Sequence, residues 1–203
     1  MSDVLEEEAT EDIEKLGGAQ PLDVPYLQAS VLRIAWKRIG WLLALFVAEA
    51  YTGSVLRFYE SELQEMISLA FFVPLLIGTG GNVGSQITTT LVRALAVGDI
   101  RLRDVLRVLW KEVRVSLIVA AFMAAATFIR GWTLGVGLGV QLVVAITAAA
   151  IVLWAALVAA LLPIVLRRLR IDPAVVSAPL ITTLVDGTGL IIYFTIALRV
   201  LGL

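Results

Sequence analysis

Long apolar runs separated by short polar interruptions dominate the chain, and the runs are longer than a soluble fold needs. Five stand out: about Trp36 to Phe58, Ile67 to Leu91, Val115 to Ile129, Val136 to Leu166 and Ala174 to Leu198. About 20 apolar residues in a helix cross the hydrocarbon core of a bilayer. Four runs exceed that length, and the third is expected to borrow residues from its flanks. A lone spanning strand leaves backbone polar groups unsatisfied in lipid, so each run is read as a helix. The predicted fold class is an all-α membrane protein with five transmembrane helices. Residues 36–203 form the membrane domain, and residues 1–35 precede it. Within 1–35, Tyr26, Leu27, Val31, Ile34 and Ala35 recur at helical spacing behind Pro25. That pattern predicts an amphipathic, plug-like helix on or under the inner membrane surface. Residues 3–14 are strongly acidic and read as a tail rather than a signal peptide, which would open on basic residues. The first span is therefore expected to act as its own insertion signal.

Charge orients these helices. With the N-terminus inside, 13 of the 16 basic residues fall on the inner side, and Arg57, Arg130 and Arg199 fall outside. Inner loops concentrate Lys and Arg, so the expected topology is N-terminus in and C-terminus out. Six of the inner residues (Arg93, Arg101, Arg103, Arg107, Lys111 and Arg114) are assigned to a polar connector between the second and third spans. Arg130 to Gly135 is expected to turn the chain between the third and fourth. The expected location is a prokaryotic plasma (inner) membrane, with the lipid bilayer as a partner and no nucleic acid. Hydrophobic residues make up 60% of the sequence, and it contains neither cysteine nor histidine. Disulfides, thiolate metal sites and histidine base catalysis are excluded.

The chemistry that remains is oxygen chemistry. Asp186 lies within the fifth span, in Pro179-Leu180-Ile181-Thr182-Thr183-Leu184-Val185-Asp186-Gly187-Thr188-Gly189. A carboxylate at bilayer depth is costly unless it is paired, protonated or hydrated, so a functional role is the default reading. Thr182 and Thr183, four and three residues earlier, share its helical face. Pro179 is expected to free a carbonyl one turn earlier. Oxygen ligands without nitrogen or sulfur suit a hard cation such as Mg²⁺ or Ca²⁺. In the second span, Gly78, Gly80, Gly81 and Gly84 should loosen or break the helix. Asn82 and Gln86, four apart, share one face there. This stretch reads equally as a hydrated path or as close packing through small residues. Glu49 in the first span is either a second ion ligand or a hydrogen-bonded acid. Glu60, Glu62 and Glu65 crowd the expected outer connector as an acidic mouth or a solvated loop. Catalysis is not expected. An intramembrane aspartyl protease needs two opposed acids, where only Asp186 has support, and a serine type lacks its histidine.

Three stretches together resemble a known family. PLLIGTGGNVGSQ from Pro74, RALAVGDI from Arg93 and DPAVVSAPLITTLVDGTGLIIYF from Asp172 resemble, in order and spacing, the membrane domain of the MgtE magnesium channels. EATEDIEKLGG from Glu8 and DVPYLQASVLRIAWKRIGWLLALF from Asp23 are similar to that family's approach to its first span. The resemblance implies a homodimer with a pore between subunits, conducting Mg²⁺, and in some members other divalents such as Mn²⁺ or Co²⁺. It implies that Asp186 meets the ion largely through water, that Asn82 faces the pore, and that Thr182 faces the hydrated ion; Gly81, Gln86 and Thr183 are expected beside them as pore-lining or water-shell residues. Typical members carry soluble domains ahead of the membrane part, including paired CBS modules that sense Mg²⁺. The chain is expected to start near the helix linking those modules to the membrane, with sensing absent or supplied by a separate regulatory chain.

The function expected is therefore a homodimeric Mg²⁺ channel running down the electrochemical gradient. The alternatives are an exchanger coupled to Na⁺ or H⁺, with Glu49 as the coupling acid, and a non-conducting membrane scaffold.

Overall fold

The computed structural model of the chain describes residues 11, 14–172 and 177–202. Residues 1–10, most of the acidic tail, lie outside the described residues, as do 173–176 at the expected start of the fifth span.

Five helices are long and apolar enough to cross a membrane. They are α1 (Val31–Phe58), α3 (Val73–Ala96) with the 3-10 turn Ile67–Phe72 ahead of it, α4 (Val105–Thr133), α5 (Leu138–Arg168) and α6 (Ala178–Leu201). A short helix α2 (Glu60–Glu65) joins α1 to that turn. Local chemistry sets several of the ends. Ser30 and Ser177 cap α1 and α6, each accepting a backbone N–H (Arg33 and Leu180) at 3.3 Å. Gly202 closes α6 in the left-handed conformation at φ 72°, where a side chain would be strained.

The elements depart from the sequence expectation in four places. The basic stretch between the second and third spans is largely helix, not connector. Arg107, Lys111 and Arg114 ride on α4, which begins ten residues earlier than the apolar run. Long basic side chains reach water from a helix end, so charge there does not break the helix. At its other end α4 continues through Gly131, which is buried against Gln141 of α5, and the turn comes after Thr133. The glycine-rich stretch is an unbroken α-helix. Finally, Val31, Ile34 and Ala35 belong to α1 itself. Ahead of them, among the described residues, lie a short helical stretch at 14–16 and the 3-10 turn Tyr26–Gln28, with Tyr26 and Leu27 exposed.

The centre of the bundle is α5, which packs on α4, α3 and α6, while α1 packs on the outer side of α6. Alanines make this centrality possible. Ala148, Ala155, Ala156, Ala159 and Ala160 are all buried, and their small volume lets neighbouring backbones approach. Arg167 at the end of α5 donates to the Leu95 carbonyl at the end of α3, at 2.8 Å. At the opposite end, the buried Tyr193 hydroxyl donates to the Leu69 carbonyl at 2.9 Å, and Tyr59 stacks on Phe194. Those contacts hold the 3-10 turn in the core.

The segment before α1 is strapped onto the helix ends. Lys37 donates to the Pro21 carbonyl and, at 2.9 Å, to Asp23. Lys15 bridges to Asp172 at 3.0 Å, across the chain beside α6. Gly18, at φ 74°, lies against the indole of Trp41, where a methyl would sit 2.7 Å from Nε1. The Lys37 hydrogen bond holds the Asp23 carboxyl below its usual range. The Asp172 hydrogen bond holds the Lys15 ammonium above its usual range. The Asp23 contribution to docking is complete above the ordinary carboxylate value of about 3.9 and is lost as pH falls through the lower folded value. The Lys15 contribution is complete below about 10.4 and is lost as pH rises through its raised value. Docking should therefore be constant between those limits. Lys37→Met should speed amide hydrogen exchange across residues 19–24 at neutral pH, and unchanged exchange would show that the strap holds without it.

Candidate functional site

The candidate site is built where α6 meets α3 on one side and α1 on the other. Pro179 stands at the start of α6, in the first turn. Its missing N–H would have had no partner in the helix there, so it starts the helix and frees no carbonyl inside it. Counting from Ala178, Asp186 lies about 12 Å into α6 at 1.5 Å per residue.

Asp186 is only 7% exposed, and its Oδ1 is fully buried with no hydrogen-bond partner among the described residues. Its immediate neighbours Val185 and Gly187 are buried with it. Glu49 lies on α1, the helix packed against α6, and is exposed on the surface of the chain. No basic side chain is ion-paired with either acid among the described residues. The arrangement leaves an acid held by packing, with one oxygen unpartnered among the described residues.

The glycines of α3 account for its contact with α6. A methyl at Gly80 would lie 2.6 Å from Ile151 Cγ2 and 2.7 Å from Val185 Cγ1. One at Gly84 would lie 2.5 Å from Ile181 Cγ2, and one at Gly81 would lie 2.7 Å from Thr182 Cγ2. Gly78 differs, with open space around it. Three of the four glycines are thus sites of close helix approach rather than breaks. On the other side of α6, a methyl at Gly187 would collide with the Tyr51 ring of α1.

The expected site residues divide into two groups. Asp186, Thr183 and Gly81 are buried, and Thr182 is half-buried. Thr182 faces Gly81 and Ser85, and its hydroxyl donates to the Ala178 carbonyl at 3.1 Å while meeting Ser85 Oγ at 3.3 Å. That hydroxyl is already engaged within the protein. Asn82 and Gln86 are exposed and, with Gly78, form a polar stripe at four-residue spacing along α3. The mouth acids Glu60 and Glu62 sit on α2 with Arg57 nearby in sequence; the Glu65 side chain lies outside the described residues.

Two residues were missed in the sequence. Ser85 links α3 to the first turn of α6. Thr52 on α1 is 5% exposed, and its Oγ1 has no partner among the described residues. It would lie 3.1 Å from a methyl placed at Gly187, the residue after Asp186. Its position three residues after Glu49 was the available signal, since the two share a helical face.

A family model described as a divalent cation transporter, MgtE, matches residues 73–196, more than half of the chain. The match runs from the start of α3 to near the end of α6, and so includes the glycine contacts, the Asn82 stripe and Asp186. The chain belongs to the MgtE family.

Curated MgtE relatives extend the similarity to nearly all of the chain. A magnesium transporter MgtE of Thermus thermophilus is 44% identical over 195 residues, covering 96% of this chain and 43% of the relative. Others from Enterococcus faecalis and Bacillus subtilis are 35% and 32% identical, each again covering 96% of this chain. The chain spans less than half the length of these MgtE relatives. It is an integral membrane protein with five candidate spans.

Proposed function

We propose that this MgtE chain forms the membrane part of a magnesium transporter, working as a channel at the axis of a homodimer. The observation on which this rests is Asp186, a nine-tenths buried carboxylate deep in a spanning helix, with an orphaned oxygen and no cationic partner among the described residues. Such a group is stable in a membrane when a cation or its water shell completes it. Mg²⁺ dehydrates reluctantly and keeps several waters. A pair of Asp186 carboxylates, one from each subunit, would hold a hydrated ion between them. The exposed Asn82–Gln86 stripe would line the water-filled approach, and Gly81, Thr182 and Thr183 would set how closely the wall comes to the ion. The relatives' names favour Mg²⁺ as the transported ion; Mn²⁺ and Co²⁺ accept the same oxygen ligands. The potential would drive a divalent cation inward by about 4.6 kcal/mol per 100 mV, twice the single-charge figure. The basic residues place the N-terminus inside under this reading, and a C-terminal reporter that works only in the cytoplasm should stay silent.

Proteoliposomes holding only this chain test the proposal. Mg²⁺ flux should follow the imposed potential and reverse at the Mg²⁺ equilibrium potential. Flux no greater than in protein-free vesicles would sink it. Glu49, an exposed acid on the helix that packs against α6, favours one second reading, exchange against H⁺ or Na⁺. A reversal potential that moves with pH or Na⁺ would decide for exchange.

A further inference from the structure

Tryptophans of membrane proteins gather where the bilayer meets water, because the ring is apolar and its N–H needs a partner. Trp36, Trp110 and Trp132 follow that rule and lie within six residues of a helix end. Trp154 does not. It lies on α5 about 24 Å along from Leu138, with a further 14 residues before the helix ends. In the hydrocarbon an indole N–H without a partner is costly, so a tryptophan at this depth calls for one.

The partner is Thr188 on α6. The indole Nε1–H donates to Thr188 Oγ1 at 2.8 Å. That hydroxyl donates in turn to the Leu184 carbonyl at 2.7 Å, with the Val185 carbonyl 3.2 Å away. The contact therefore grips the backbone of α6 rather than a side chain free to turn. Thr188 lies two residues after Asp186, about 3 Å along the axis and about 160° round the helix. Around the same turn, Val185 fits against Gly80 of α3 and Gly187 against Tyr51 of α1. Apolar burial of that kind is non-directional. A hydrogen bond has a preferred angle and length, so it fixes a rotation that packing leaves loose. With side-chain tips about 5–6 Å from the axis, a turn of about 20° would carry a carboxyl about 2 Å sideways.

We propose that Trp154 is a positioning residue for ion passage: by holding Thr188 it fixes the rotation of α6, and so the direction in which Asp186 presents its carboxyl. The inference rests on the reading that the ion passes Asp186. Trp154 acts from the far side of the helix and through its backbone, so the ring has no need to reach the ion. Losing the N–H frees the angle of the carboxyl, while an aromatic ring in the same place keeps α5 and α6 packed.

Mg²⁺ flux into proteoliposomes of the full chain provides the test. Trp154→Phe removes the N–H and keeps a ring; Thr188→Val removes the acceptor and keeps the shape. Each should raise the Mg²⁺ concentration for half-maximal flux about three- to tenfold, the worth of one hydrogen bond. The double variant should shift it no further than either single one, because both remove the same contact. Thr188→Ser, which keeps the hydroxyl, should stay near the native value. A fall in maximal flux at unchanged half-saturation would overturn the proposal, since it means fewer folded channels rather than a displaced carboxyl. So would additive shifts in the double variant, or a shift in Thr188→Ser as large as in Thr188→Val. The two readings fail separately. Native flux untouched by Asp186→Asn would remove the ion site on which the inference rests. Flux lost in Asp186→Asn, with Trp154→Phe at the native half-saturation, would remove the positioning role alone.

Discussion

Asp186→Asn should cut Mg²⁺ uptake by one to two orders of magnitude while the protein remains folded. The substitution keeps the shape of the side chain and removes the charge that the ion and its waters would meet. A hydrogen bond to a charged group contributes about 1.5–3 kcal/mol, roughly tenfold to 150-fold in an equilibrium constant. In a homodimer both copies change together, so the larger figure is the better guide. Stability should move the other way. Oδ1 is buried without a partner among the described residues, so a neutral amide relieves part of the cost of burying a charge. The expected pair of results is thus lost uptake with an unchanged or higher melting temperature in detergent. Uptake at the native level in a Mg²⁺-requiring strain, at equal expression, would remove Asp186 from the permeation path. A protein that melts much earlier would mean that the carboxylate is a structural acid paired within the assembly.

The second large effect is steric. Gly84→Val should destabilise the bundle severely, because even a methyl there lies 2.5 Å from Ile181 Cγ2. Overpacking a tight core costs about 1–3 kcal/mol, and a branched side chain driven against the methyls of Ile181 and Val185 falls at the upper end. Gly80→Val should behave alike, meeting Ile151 and Val185 together. Gly78→Ala is the matched comparison, since its surroundings are open. It should be neutral or gain up to about 1 kcal/mol, the helix-propensity difference between the two residues. The comparison separates two origins of glycine in this helix. If Gly78→Ala and Gly84→Val melted at the same temperature, close α3–α6 contact would not be what the glycines provide. Because Gly81 abuts Thr182, Gly81→Ala should also disturb ion flux at a smaller cost in stability.

Much of the fold was legible because a membrane leaves few alternatives. Length and apolarity sufficed to find five helices, since in lipid each backbone donor must be satisfied within its own segment. Helix ends were read less well where charge was taken as the boundary. Arg107, Lys111 and Arg114 were assigned to a connector, yet they sit on α4, because flexible basic side chains reach water without unwinding the backbone. Pro179 was read as an interruption and is a first-turn residue, a distinction fixed by Ser177 capping the helix just before it. The separate helix expected around Tyr26 dissolved into a turn and the start of α1, as both readings share one periodicity.

The sequence by itself determined that this chain is a five-helix membrane protein of the MgtE family with a costly acid, Asp186, inside its last span. Hydrophobic length and an unusual charge are local properties, and they survive without coordinates. Tertiary structure decided what surrounds that acid. Spacing within one helix placed Thr182 and Thr183 near Asp186, but it could not say that Gly81 and Ser85 would engage Thr182, or that Tyr51 and Thr52 would close over Gly187. It also could not separate Gly78, in open space, from Gly84, under a methyl of Ile181. Those facts depend on which helix faces which, and most spanning helices have more than one face apolar enough to be the buried one. The choice is made by the fit of small residues against large ones between helices, a property of pairs of segments that no single segment contains.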